Sequence, residues 1–342
     1  MRNPNVVVQL VVHNGSRYIR ACLDAVMAQL TNDVEVLVYD NASTDDTAKI
    51  IQSEYAPFRI IQGTQNIGMW PAQELLLRES DAPFIVVLSV DVILDCHFIE
   101  RAVRAFSDES ISAIQPKVYQ YAYSNYERER NSALQTRVLD TCGFTLSRAR
   151  QVINIGHGEI DNDTYSHPQD IFGVEGAVPL FRRTALERAR VGGMLIDPDY
   201  FWYGDDLDLA WRLSVFGLRQ VFRPEIIAWH DRSTTKGVAK SFSEHFKRIA
   251  LRRTIPIKKR RLDWSNVRFT IIKNDYIVNI LRDLPWIAAR EISTLIYTLL
   301  FEPAVLLELF RFARLLPRML ARRRGVQKKA VATPRTIHAW YR

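Results

Sequence analysis

VEVLVYDNASTDDTAKIIQSEY, residues 34–55, is the stretch that decides the fold. Its first seven residues form a short apolar run, rich in valine, of the length expected for a strand. The run ends in Asp40. The following STDDTAKIIQSEY (43–55) reads as a helix, with Ser43 as N-cap and Asp45 and Asp46 in the first turn, where they suit the helix dipole. The same strand-then-helix unit recurs on both sides. NVVVQLVV (5–12) is a strand followed by a helix over 16–30. FRIIQ (58–62) is a third strand followed by a helix over 69–80, and PFIVVLSVD (83–91) is a fully buried strand ending in Asp91. Unpatterned apolar strands alternating with helices predict an α/β fold, a doubly wound and mostly parallel sheet covered on both faces.

Ligands of open α/β sheets bind outside the carboxyl ends of the strands, which makes Asp40 and Asp91 candidate site residues. The first strand runs into VVHNGSRYI, which has no GxGxxG, and no Walker A loop occurs. Both absences argue against a dinucleotide- or P-loop-binding domain.

The middle of the chain, 111–182, is less regular. LDTCGFTLSRARQVINIGHGEIDNDTY (139–165) mixes strand-like pieces with glycine turns. GVEGAVPLFRRTALERA (173–189) reads as a strand feeding a helix capped near Thr184. A helix over 207–217 precedes RQVFRPEIIAWHDRS (219–233), two short strands broken at Pro224, the second ending at His230.

From residue 241 the strand signals stop, and helices are expected over 241–254, 265–283, 286–301 and 304–324. Their longest uncharged run, ISTLIYTLLF (292–301), has ten residues. That is about half of what a bilayer-spanning helix needs. With Trp286, Tyr297 and Phe301 beside flanking arginines, it suits helices lying in a membrane interface. A helical hairpin packed on the body, its charges merely solvated, is the alternative.

The length of 342 residues suggests about two domains. The expected division is 1–240, with halves 1–110 and 111–240, and a helical extension over 241–342. A 47 % apolar and 25 % charged composition is that of a globular chain. Net charge divides unevenly: 241–342 carries 22 Lys+Arg against 7 Asp+Glu, whereas the first 240 residues carry 24 against 31. A basic extension on an acidic body points to an anionic partner, a membrane surface or nucleic acid. Cys22, Cys96 and Cys142 lie far apart with no CxxC, which fits a reducing compartment better than a disulfide framework or a zinc site. The N-terminus carries no recognisable export signal, so a cytoplasmic location is expected.

YGDDLDLAWRL (203–213) sets Asp205, Asp206 and Asp208 within four positions. A helix start accounts for one or two of them, at about 0.3–1 kcal/mol each, and Asp208 can pair with Arg212 at i+4. The repulsion among all three offsets that gain. A neighbouring carboxylate raises proton affinity, as a general base requires.

VVHNGSRYI, VYDNASTDDT, LSVDVILD and GDDLDLAWRLSVFGLR…WH, taken together and in this order, resemble family-2 glycosyltransferases of the GT-A fold over about residues 5–233. The middle region is similar to that of bacterial rhamnosyltransferase-like enzymes of cell-surface polysaccharide synthesis. The resemblance implies a Rossmann-like nucleotide-binding half and a dTDP- or UDP-sugar donor whose diphosphate is bridged by Mg²⁺ or Mn²⁺. It implies inverting transfer to a hydroxyl of a lipid-linked or oligosaccharide acceptor.

Residue by residue, the resemblance gives Asp40 a contact to the nucleotide base, with Val11, His13 and Asn14 shaping the same pocket. Asn66, Gly68, Ser89 and Val90 also fall on the donor side, where Trp70 and Pro71 narrow the segment. Asp91 ends a metal motif whose first member here is Ser89, and His230 completes the metal site. A hard cation that keeps several waters needs few carboxylates. Asp206 is the expected base and Asp205 its neighbour. Trp202, Tyr203, Gly176 and His157 fall on the acceptor side, as do Glu159 and Asp161.

The expected enzyme works at the inner face of the cell membrane, peripherally held there by the basic extension; a homo-oligomer is an open option. Two alternatives are a nucleic-acid-binding protein using KKRRLDWSNVRF (258–269) and RRRGVQKK (322–329), and a catalytically inactive relative. No recognisable nucleic-acid-binding motif accompanies the basic runs, so no nucleic-acid partner is expected.

Overall fold

The structure, a computed structural model, describes residues 4–232, 252 and 254–342. Strands β1 (Val6–Val12), β2 (Val34–Asp40), β3 (Arg59–Gln62) and β4 (Phe84–Leu88) alternate with helices α1 (Ile19–Met27), α2 (Thr47–Glu54) and α3 (Met69–Leu76). The four strands are parallel, in the spatial order β4-β1-β2-β3. Val6, Val8 and Leu10 enter the core on one face of the sheet, while Val7, Leu37 and Tyr39 enter the core on the other with Trp70 and Leu76. Burial on both faces is why these strands read as continuous apolar runs.

One local expectation is corrected. Helix α2 starts at Thr47, because the Asp45 carboxylate accepts the Thr47 N–H at 3.1 Å, while the Ser43 hydroxyl accepts the Asn14 N–H at 2.9 Å. Ser43 thus joins the loops after β1 and β2 and caps no helix. Val92–Leu94 forms a short strand, β5, and helix α4 (Phe98–Ala105) follows it.

The second half adds β6 (Ile111–Gln120), short helices α5 (Tyr123–Tyr126) and α6 (Arg130–Ala133), and β7 (Leu139–Thr141). A hairpin of β8 (Phe144–Leu146) and β9 (Val152–Asn154) precedes β10 (Gln169–Asp170), β11 (Leu180–Arg182), α7 (Arg183–Ala189), α8 (Asp205–Val215) and β12 (Arg219–His230). The sheet order is β10-β12-β6-β11-β4-β1-β2-β3, with β11 antiparallel to both neighbours. β12 runs through Pro224 as one strand, its register with β6 shifting between Arg223 and Ile227. The proline therefore sits at a bulge and does not end the strand.

The helix expected over 241–254 lies, save for residues 252 and 254, outside the described residues. Beyond it run α9 (Ile257–Asn274), α10 (Ile277–Arg282), α11 (Leu284–Phe301), a 3₁₀ turn (Pro303–Leu307), α12 (Glu308–Lys329) and α13 (Pro334–His338). The expected 265–283 helix is two helices. They break at Asp275, whose carboxylate accepts the Tyr276 N–H at 2.8 Å and the Arg150 Nε–H at 2.7 Å. Arg150 is fully buried, also donates to Asp283 at 2.8 Å, and lies 4.1 Å over the Tyr341 ring. A buried guanidinium is stable only when paired in this way. It ties the β8–β9 hairpin to the C-terminal helices.

The outer side of these helices stays apolar. Ile292, Leu295, Ile296, Leu299 and Leu300 are exposed along one stripe of α11, and Phe310 on α12 is 78 % exposed. Among the described residues no single helix is long and apolar enough to cross a membrane. Leu284–Phe301 and Pro303–Lys329 reach that composition only as a pair bent by 115°.

Candidate active site

A cleft of about 660 Å³ opens at the carboxyl edge of the sheet. Val11, His13 and Asn14 reach it from the end of β1, and Ser89, Val90 and Asp91 from the end of β4. Asn66 and Gly68 come from the loop before α3, Gly176 from the loop before β11, and His230 from the end of β12. Trp202, Tyr203, Asp205 and Asp206 close the opposite wall. Residues up to 219 positions apart in the chain are thus gathered by strand ends and the loops that follow them.

At one end Asp91 Oδ2 lies 3.4 Å from His230 Nε2, and His230 Nδ1 lies 2.9 Å from Asp140 Oδ2. Burial opposes a charge on the imidazole, yet hydrogen bonds to Asp140 and Asp91 outweigh it and hold the His230 pKa up to about 10. Asp140 is fully buried. Burial would raise its pKa, but His157 and His230, with Arg232 at 3.3 Å, hold it well below the usual carboxylate range. Asp140 therefore fixes the ring, and Asp91 and Nε2 converge on the cleft. Among the described residues no cluster of three or more His, Cys, Asp or Glu could hold a metal by itself. Asp91 and His230 form a two-donor corner.

At the other end the acids open α8. Gly204 precedes them with φ +73°, and Phe201 and Tyr203 take φ +58° and +67°, conformations rare for side chains of their size. What holds this loop is α9. Asn266 Nδ2 donates to the carbonyls of Tyr200, Trp202 and Tyr203 at 3.0, 3.0 and 2.7 Å, and Thr270 Oγ1 donates to the Gly204 carbonyl at 3.3 Å. From the loop before α3 Gly68 supports it too, since a Cβ there would come 2.2 Å from the Phe201 carbonyl oxygen. Only glycine permits that approach.

Asp205 and Asp206 both have pKa values raised well above the carboxylate range. Burial is the first cause for each. For Asp206 the next is the Glu175 charge, and for Asp205 it is Asp206. Asp206 Oδ1 accepts the Leu207 N–H at 2.8 Å, and Gly176 lies against the side chain, where a Cβ would come 2.9 Å from Oδ2. Asp208 points away into the core. It takes hydrogen bonds from Arg212 (2.5 Å), Lys273 (2.9 Å) and Asn274 (2.7 Å) and is held ionised despite its burial. The i+4 partner expected for it is present, together with two partners from α9.

Asp40 and His157 do not reach the cleft. Asp40 is buried and its Oδ1 accepts the N–H of Ser43, three residues on, at 3.1 Å, a bond that directs this oxygen into its own loop. Its neighbour Asn41 faces the cleft instead and bonds Ile67 N–H, Asn66 and the Gly68 carbonyl. His157 is turned to the Asp140 carbonyl at 2.8 Å. Glu159 accepts the Tyr165 hydroxyl and Asp161 pairs with Lys117 at 3.0 Å, and neither lines the cleft. Trp70 does line it while stacking edge-on against Phe181.

Several lining or supporting residues were not among the expected site residues: Glu175, Asp140, Asn41, and Lys258 and Lys259, which open the basic run 258–269. The two lysines come from the start of α9. Lys258 lies 4.0 Å over the Phe201 ring and Lys259 4.0 Å over Tyr203, and burial pushes the Lys259 pKa down to about 8. Many other cations of the basic runs are engaged inside the molecule. Arg268 pairs with Glu291 at 2.6 Å, Arg322 with Asp199 at 2.9 Å, Arg323 donates to the Ile272 carbonyl, and Lys329 donates to the Arg188 and Arg190 carbonyls.

The family model described as Glycosyl transferase family 2 matches residues 7–187. The chain is 29 % identical over 116 residues to the chondroitin synthase of Escherichia coli, which is 33 % of this chain and 17 % of that protein. It is 24 % identical over 90 residues to the teichoic acid poly(glycerol phosphate) polymerase of Staphylococcus epidermidis, 25 % of this chain and 12 % of that protein. The chain therefore spans under a fifth of either relative. Among solved structures it resembles GalNAc-T7 with UDP, GalNAc and Mn²⁺ (TM-score 0.56, 12 % identity, 80 % of this chain and 48 % of that one). It also resembles the mannosyltransferase PcManGT of Pyrobaculum calidifontis in complex with GDP-Man and Mn²⁺ (TM-score 0.50, 18 % identity, 96 % and 87 %). At these identities the likeness shows the fold, GT-A with added C-terminal helices.

Proposed function

The chain belongs to glycosyl transferase family 2, and from that premise we propose that it moves a sugar, with inversion, from a UDP- or dTDP-sugar to a hydroxyl of a lipid-linked or oligosaccharide acceptor in polysaccharide synthesis. Rhamnose is the first sugar to test. The observation that carries the proposal is that one cleft joins the Asp91–His230 corner to the Asp205–Asp206 pair. In this reading residues 1–240 are the catalytic domain and 241–342 its helical extension.

Asp206 is the base in this reading. Its raised proton affinity suits a group that must accept a hydroxyl proton near neutral pH. The acceptor oxygen bonds to the anomeric carbon, the bond from that carbon to the donor diphosphate breaks, and the proton goes to Asp206. Asp205 and Gly176 fix where Asp206 points, and Trp202 and Tyr203 offer ring faces to an acceptor sugar. Asp91 Oδ2 and His230 Nε2 would hold a Mg²⁺ or Mn²⁺ ion, with Asp140 orienting the imidazole behind it. When bound, the ion supplies charge neutralisation at the leaving diphosphate. His13, Asn14, Asn41 and Asn66 would bind the nucleotide end.

We place the enzyme peripherally at the inner membrane face, with the apolar stripe of α11 toward the lipid. The exposure of Ile292, Leu295, Ile296, Leu299 and Leu300 supports this. A thermal-shift screen of nucleotide sugars with and without Mn²⁺ tests the donor assignment, since a ligand that binds the native state raises Tm by mass action. Stabilisation by one nucleotide sugar only when Mn²⁺ is present, lost in Asp91→Asn, is the expected result. No stabilisation by any of them would refute the proposal.

A further inference from the structure

We propose that a second groove, between the first turns of α9 and α12, binds the phosphate or diphosphate of the acceptor, and that the acceptor glycan passes from it into the cleft. This rests on the glycosyltransferase reading of that cleft. The groove encloses about 450 Å³ and adjoins the cleft, with Phe201, Lys258 and Leu262 lining both.

Its charge is what singles it out. Two acids border it, and both are neutralised within the fold: Glu308 by Arg311 at 2.5 Å, and Asp199 by Arg318 and Arg322 at 2.9 Å each. Three further cations have no such partner. Among the described residues no carboxylate comes within 4.0 Å of Lys258, Arg261 or Arg314. Among the described residues Arg261 donates to the Ala304 carbonyl, at 2.9 Å, and Lys258 rests on the Phe201 ring. Uncompensated cations converging on one concave surface match a doubly charged anion, and arginines in particular match phosphate oxygens.

Exposed apolar side chains lie outside the groove, on the helix that lines it. Glu308, Arg311 and Leu315 recur at helical spacing along the face of α12 that lines it. Leu309 and Phe310, on other faces of the same turn, are left exposed at 45 % and 78 %, as is Leu307 before them at 57 %. An anionic head in the groove would have these exposed apolar side chains on the same helix and the cleft that holds Asp205 and Asp206 next to it. That is the shape of a glycan carried on a phosphorylated lipid.

The test is isothermal titration of the full chain with farnesyl diphosphate, inorganic pyrophosphate and farnesol, comparing wild type with R261A/R314A, whose two sites lie outside the cleft. Wild type is expected to bind farnesyl diphosphate, and the double variant to bind it at least about tenfold more weakly, a loss of about 1.4 kcal/mol. Nucleotide-sugar stabilisation should be unchanged. R314E, a charge reversal at an exposed position, repeats the test without touching the Ala304 contact. Unaltered affinity in both variants, or no binding by wild type, overturns the proposal. Tighter binding of farnesyl diphosphate than of pyrophosphate identifies a lipid as the source of the phosphate. Equal binding of the two overturns the lipid assignment and gives the groove to a free diphosphate. Loss of nucleotide-sugar stabilisation in wild type would instead refute the reading of the cleft, whatever the groove binds.

Discussion

The Lys273 ammonium of α9 lies 2.9 Å from the Asp208 carboxylate in the first turn of α8, in the core and out of reach of water. The helix that begins with the candidate base is thus anchored from below by the C-terminal extension. Lys273→Met is expected to lower stability by about 3 kcal/mol, because removing one partner strands part of a buried charge. Urea denaturation measures this. K273M/D208N should recover part of the loss, and an unchanged midpoint in K273M would show that Arg212 and Asn274 suffice.

Asp206→Asn keeps the shape of the side chain and removes its basicity. Sugar transfer should fall by about 10²–10⁴-fold, the range typical of a lost general base, while nucleotide-sugar stabilisation persists. Comparison of transfer rates with thermal shifts separates the two. Full activity in the variant would move the base elsewhere in the cleft.

Gly176→Ala tests position alone. The added methyl would sit 2.9 Å from Asp206 Oδ2 and 3.0 Å from its Cβ, so the carboxylate must move. A displacement of that kind costs up to about a hundredfold in rate. The expected signature is a lower kcat with an unchanged melting temperature.

A pH profile follows from the raised proton affinity of Asp206. The base works ionised, so kcat/KM should rise with pH through a midpoint above the ordinary carboxylate value of about 4. Burial is the main cause and Glu175 the next. Glu175→Gln removes a like charge and should shift that midpoint to lower pH. An unmoved limb would mean that another group titrates.

The parallel half of the fold was legible because buried strands and amphipathic helices impose periodicities that a single chain displays. Asp91 and the Asp205–Asp206 pair were legible as a strand end and as dense like charge, which are local features, whereas His230 was singled out through the family resemblance. Asp40 lies outside the cleft lining, because an Asp-Asn-Ala-Ser turn that could serve a ligand can also hold its own backbone, and here Oδ1 accepts the Ser43 N–H at 3.1 Å. Glu175, Asp140 and Asn266 left no trace in sequence. Each acquires its role from a partner 31 to 90 positions away: Asp206 for Glu175, His230 for Asp140, the 200–203 carbonyls for Asn266. Pro224 was read as a strand end because the bulge that accommodates it is a property of the pairing with β6.

Asn266 holds three carbonyls of the loop in which Phe201 and Tyr203 adopt left-handed backbone, and Gly68 leaves room for that loop from the far side. Chimeras that graft this catalytic body onto another transferase's tail would release those carbonyls and let the dihedrals relax toward ordinary values. A recombination point for specificity swapping therefore belongs after Asn274, so that Asn266, Thr270 and Lys273 travel with the acids they steady.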